Sequence, residues 1–233
     1  MTMPDTLDSF LTTVAHELSW LNAQPIFIGG MIVGLFLDEV GRPQQRATDD
    51  VDCIVPTIAT ITAWTELTRQ LLSHGWSPVR EGPICRYTSP SGITVDLLPE
   101  KSEILGFGGR WFTDAVTNAR SMTLTTGATI RLLEVEYLLA FKLDAFRDRG
   151  RADPQASFDL EDITALLDGH QELEARVRAA TNELRRYIAA GMRDIREEEQ
   201  VFEALVAQLP RGGDERGRRK RLIGLVQRLA ALS

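Results

Sequence analysis

Apolar residues recur every three or four positions near the start of the chain. Leu7, Phe10, Leu11, Val14, Leu18 and Leu21 share one face of a helix that Asp5 is placed to cap and Pro25 ends. The pattern then shortens to Ile26-Phe27-Ile28, read as a buried strand that delivers Gly29-Gly30 into a second helix beginning near Met31. Residues 41–48 are polar, contain Pro43 and read as a loop before a strand over 51–55. A third helix is predicted from about 58 to 73, closed by His74-Gly75. Ile84 to Thr88 and Ile93 to Leu97 read as two strands joined through Ser89-Pro90-Ser91-Gly92. From about Glu134 the periodicity is helical almost to the end, with breaks near Gly150 to Pro154, at Gly169 and at Pro210-Arg211-Gly212-Gly213. The expected class is α+β: a mixed sheet with flanking helices over residues 1–130, then a helical half over 131–233 that completes a cleft.

Composition narrows the class without naming a function. At 233 residues, 43% hydrophobic and 25% charged, the chain has the make-up of an ordinary globular protein with one large or two small cores. No apolar run approaches the roughly 20 residues that cross a bilayer, and Asp5 and Asp8 stand where a signal peptide carries basic residues. A cytoplasmic protein with no membrane partner is therefore expected. Cys53 and Cys85 form no Cys-x-x-Cys pair, and His16, His74 and His170 are scattered, so neither a zinc site nor a histidine base is expected. The net charge of -7 opposes a protein that coats nucleic acid through its overall field. A local basic segment, Arg211, Arg216, Arg218, Arg219, Lys220 and Arg221, is either a phosphate-contacting patch or the solvated start of a helix buried through Leu222, Leu225, Val226 and Leu229.

The candidate chemistry lies in the acids. Asp50 and Asp52 are two apart on a strand, so both carboxylates point to one face, and a neighbouring strand carrying Asp96 would complete a triad. Two carboxylates about 6 Å apart at an effective dielectric near 20 repel by roughly 3 kcal/mol, which a cation removes. Oxygen donors without histidine or cysteine suit a hard ion such as Mg2+, held by Asp50, Asp52 and Asp96. Asp96 would help bind a second ion or accept the proton of an attacking hydroxyl. Gly29-Gly30 lets the backbone approach a phosphate, and Thr48 is placed either to donate to a phosphate oxygen or to shape a turn. Lys142 lies on an apolar helix face formed by Leu138, Leu139, Ala145 and Phe146, so its ammonium either snorkels to water or points into a cleft. Asp159 and Asp162, three apart, are spaced to orient a lysine or arginine.

The combination of Phe27-Ile28-Gly29-Gly30 with Arg46-Ala47-Thr48-Asp49-Asp50-Val51-Asp52 resembles the AbiEii family of nucleotidyltransferase toxins, including the related MenT toxins. Leu138 to Ala145 with Arg147 looks like the family's lysine helix, and Asp159-Leu160-Glu161-Asp162-Ile163 like its acidic helix, so the resemblance spans about residues 27–167. It implies a polymerase-β-like nucleotidyltransferase fold and Mg2+-dependent transfer of a nucleotide from a nucleoside triphosphate. It also implies nucleotide binding by Gly29, Gly30, Arg46, Thr48 and Lys142, a functional acid at Asp159 or Asp162, and a type IV toxin paired with an antitoxin. The acceptor it suggests is RNA, at the 3′ end of tRNA. Two alternatives stay open: transfer to a hydroxyl of a small molecule or a protein, and a non-catalytic nucleotide-binding module.

Overall fold

The structure is a computed structural model that describes residues 3–38, 48–56, 58–101 and 110–233. The chain divides into two compact units. The first holds the described residues up to Ile32 and from 48 to Glu134; the second holds residues 33–38 and Val135–Ser233.

In the first unit the period-two pattern of the sequence becomes one mixed sheet. Its strands are β1 (Ile26–Ile28), β2 (Asp50–Val55), β3 (Ser77–Pro78), β4 (Arg86–Thr88), β5 (Thr94–Pro99), β6 (Arg120–Thr123) and β7 (Thr129–Leu132), in the order β3-β4-β5-β2-β1-β7-β6. The expected hairpin forms: β4 and β5 are antiparallel, with Thr88 opposite Thr94 and Arg86 opposite Asp96. β5 then runs parallel to β2, placing Asp96 opposite Asp52, and β1 runs antiparallel to β2, placing Ile28 opposite Asp52. Val51, Cys53, Val95 and Leu97 occupy the alternate positions of the two central strands and are fully buried, which fixes the face on which the acids stand.

Helices flank this sheet. α1 (Met3–Glu17) buries Leu11 and Val14, with Leu18 just beyond its end, and is tied to the turn after β6 because Asp8 accepts from the Thr125 backbone N–H at 2.7 Å. α2 (Ile61–Ser73) starts three residues later than expected, where the Thr60 hydroxyl accepts from the Ala63 N–H at 3.1 Å. α3 (Phe112–Thr117) is a short helix before β6.

The helix expected from Met31 is not an α-helix. Met31–Leu35 forms a five-residue 3-10 helix, in keeping with the weak helix preference of Ile32-Val33-Gly34.

The second unit is helical: α4 (Val135–Ala145), α5 (Phe158–Gly169), α6 (Leu173–Ala179), α7 (Asn182–Glu197), α8 (Glu199–Ala207) and α9 (Glu215–Ala230). α4 is buried on nearly every side, as its continuous Tyr-Leu-Leu-Ala run requires, and packs against α5, α6 and α7. α7 packs tightly on α4 at Gly191, where a Cβ would lie 2.8 Å from a Leu143 methyl. α4 runs on into a π-helix, Phe146–Gly150. No helix among the described residues is long and apolar enough to cross a membrane.

Candidate active site

Register builds the acidic centre. Because side chains alternate along a strand, Asp50 and Asp52 share one face of β2, and the parallel pairing with β5 sets Asp96 abreast of Asp52 on that face. The antiparallel pairing of β4 adds Arg86 to the same row. Arg86, Asp96, Asp52 and Ile28 therefore lie side by side across four adjacent strands, about 4.8 Å apart.

Arg86 binds the acids directly. Its Nε donates to Asp96 Oδ1 at 2.8 Å and its Nη2 to Asp96 Oδ2 at 2.7 Å, the two-point geometry that makes arginine–carboxylate pairs strong. The same Nη2 donates to Asp50 Oδ2 at 3.1 Å. The Asp96 hydrogen bond, followed by the charges of Asp96, Asp50 and Asp52, raises the guanidinium above its already high range against the opposing effect of burial. Sequence reading missed Arg86: counting back from the predicted turn at 89–92 sets Val95 opposite it, and the observed connection runs one residue longer, over 89–93, which brings Asp96 there instead.

The glycine bend serves this centre through close approach. Gly29 has φ +79°, a left-handed conformation that favours glycine, and a Cβ built on it would lie 1.9 Å from Asp52 Oδ2. The Asp52 carboxylate is thus set against the main chain at residue 29. Gly30 follows in the same turn and is buried. The Thr48 hydroxyl donates to Asp50 Oδ1 at 2.9 Å, so it steadies the first acid of the strand. Arg46 lies outside the described residues.

The donor set bears on the magnesium expectation. Asp50 and Asp52 offer hard oxygen donors from one strand face, and the Asp50 side chain is 37% exposed. Among the described residues no three acidic, histidine or cysteine side chains converge into a metal-enclosing group. Both oxygens of Asp96 are already engaged by Arg86. The chemistry therefore fits a divalent ion on the Asp50–Asp52 edge.

Lys142, Asp159 and Asp162 meet in the second unit. The Lys142 ammonium is 2.7 Å from Asp162 Oδ2 and 3.2 Å from Asp159 Oδ1, with all three side chains at most 7% exposed. Of the two fates open to Lys142, snorkelling to water is excluded by this burial. Arg149 completes the cluster, its Nε donating to Asp159 Oδ2 at 2.7 Å and its Nη2 to Asp159 Oδ1 at 3.1 Å. Burial pushes the Asp159 carboxyl up, but the Arg149 hydrogen bond and the charges of Lys142 and Arg149 together hold it below its ordinary value. Ser157 sets the start of this acidic helix by accepting from the Leu160 N–H at 3.2 Å.

The basic segment divides. Arg218 is buried and pairs with Asp168 of α5 through Nε at 3.0 Å, which fastens α9 to α5, and Arg221 lies 3.4 Å from Asp214. Arg211, Arg216, Arg219 and Lys220 are exposed.

No protein-family model matches the chain, and no curated protein matches it. Among solved structures it is similar to a candidate nucleotidyltransferase from Helicobacter pylori, at 13% identity and a TM-score of 0.45, over 99% of this chain and 96% of that one. It is also similar to JHP933 from Helicobacter pylori, at 12% identity and a TM-score of 0.45, over 99% of this chain and 93% of that one. A likeness at that distance decides neither fold nor activity, and it does not bear on the AbiEii and MenT toxins in particular.

Proposed function

We propose that the chain is a Mg2+-dependent nucleotidyltransferase that moves a nucleoside monophosphate from a nucleoside triphosphate to an acceptor hydroxyl. The observation that carries this reading is the row of Asp52 and Asp96 on adjacent parallel strands, with Asp50 on the same face and Gly29 pressed against Asp52. Asp50 and Asp52 would hold the ion, with Asp96 beside them. When bound, the ion supplies neutralisation of the triphosphate charge as pyrophosphate leaves.

The protein's own groups set the stage for that chemistry. Strand register fixes the spacing of the acids, Thr48 orients Asp50, and the bend at Gly29 limits where Asp52 can turn. Lys142 holds Asp159 and Asp162 in the second unit; a role for it in nucleotide binding requires a phosphate to compete with those two carboxylates. The resemblance to AbiEii and MenT toxins makes the 3′ end of tRNA the leading acceptor and a toxin with a cognate antitoxin the leading biological role.

The test incubates the chain with Mg2+, each labelled triphosphate in turn, and total tRNA. Label on RNA that disappears with Asp52→Asn is expected. Label on a protein or small molecule instead would move the acceptor to those hydroxyls. No label on any acceptor, with wild type and Asp52→Asn alike, would falsify the enzymatic reading.

A further inference from the structure

Arg86 holds the two acids it touches unequally. Asp96 is gripped at both oxygens and its side chain is 11% exposed, whereas Asp50 receives one longer bond at 3.1 Å and its side chain is 37% exposed. The pairing is set by the backbone, since Arg86 and Asp96 are direct cross-strand partners. A second divalent ion would need Asp96 to leave a bidentate, largely buried pair, which is the costly way to break such an interaction.

We propose that Arg86 is the resident counter-ion of the acidic centre, keeping Asp96 and yielding only Asp50, so that the centre takes a single divalent ion on Asp50 and Asp52 with the guanidinium in place of a second. Asp96 then acts as a positioning residue, neither a ligand nor a proton acceptor. The inference rests on the magnesium reading above and deepens it.

The test titrates Mn2+ into the nucleotide-free full chain and follows free Mn2+ by electron paramagnetic resonance, comparing wild type, Arg86→Gln, Arg86→Lys and Asp50→Asn. Far-UV circular dichroism checks that each variant is folded. Wild type should bind one ion per chain and Asp50→Asn should bind it at least about tenfold more weakly. Arg86→Gln should bind about tenfold more tightly or take up a second ion, because the positive charge that pairs with Asp50 and Asp96 has gone. Arg86→Lys keeps the charge but loses the fork, so it should fall between the two and serves if the glutamine variant does not fold. Two ions on the wild type, or an Arg86→Gln variant with unchanged number and affinity, overturns the proposal while leaving the metal reading intact. No ion on the wild type, together with no nucleotide transfer, removes both.

Discussion

Gly29→Ala isolates what the glycine bend does for Asp52. Gly29 and Gly92 both have left-handed backbones, φ +79° and +83°, so an alanine at either position carries the same conformational penalty, about 1–2 kcal/mol. They differ in surroundings. A Cβ at residue 92 meets nothing within 4 Å, whereas one at residue 29 lies 1.9 Å from Asp52 Oδ2, 2.7 Å from its Cγ and 2.9 Å from its Cβ. Rotating the carboxylate relieves the first two contacts but not the third, because the Asp52 Cβ is fixed by a strand paired on both sides. Overpacking of this kind adds about 1–3 kcal/mol. Gly29→Ala should therefore lose about 2–5 kcal/mol and Gly92→Ala about 1–2. All four tryptophans, Trp20, Trp64, Trp76 and Trp111, lie in the sheet-bearing unit, so urea unfolding followed by tryptophan fluorescence reads that unit selectively. Equal midpoints and slopes for the two variants would show that Asp52 does not stand against residue 29, and the geometry proposed for the acidic centre would go with it.

The second unit has no tryptophan, so circular dichroism of its helices reports the remaining stability effects. Lys142→Met takes the ammonium away from two buried carboxylates, Asp159 and Asp162, and should cost about 3–5 kcal/mol; a loss below about 1 would show the cluster to be dispensable. Asp159 has a depressed carboxyl when folded, so its contribution is present above the ordinary value of 3.8 and is lost as pH falls through the lower folded value. Wild type should lose stability below about pH 4 and Asp159→Asn should show a flatter acid limb, whereas identical limbs would contradict the assignment. Burial, then the charge of Asp96, pushes the Cys85 thiol up to about 12, and burial, then the charge of Asp52, raises Cys53 well above its usual range. Neither thiol should react with an aromatic disulfide at pH 8 until denaturant is added; rapid labelling of Cys85 in the native protein would refute this.

Period two was legible because β2 and β5 each bury one face completely, which leaves Asp50, Asp52, Thr94 and Asp96 on the opposite face, three of them acids. The hairpin was legible from the turn residues Ser89 to Gly92, but its register was not, because Thr88 pairs with Thr94 across a connection one residue longer. Arg86 escaped notice because a lone arginine on a short strand looks like a solvated residue until the pairing is counted. β6 was missed for a related reason, since Arg120-Ser121-Met122-Thr123 has no apolar alternation; β7, Thr129-Ile130-Arg131-Leu132, does alternate but over four residues only. The 3-10 helix after Gly30 marks where glycine spacing suggested a helix start but the following β-branched and glycine residues do not sustain one. In the second unit the spacing of Asp159 and Asp162 announced a basic partner, but which cation, and that Arg149 joins Lys142, depended on a π-helix that periodicity does not reveal.

That π-helix ends at Gly150, where an added methyl would strike the Ser157 hydroxyl at 2.3 Å and the Phe146 ring at 2.5 Å. The chain leaving α4 is thereby wedged against the very residue that opens α5, with no room for even one more carbon. Arg149, though 73% exposed, is held near Asp159 by this abutment of Gly150 on the Ser157 side chain and so acts as a strut between the two helices, not as a tether free to slacken.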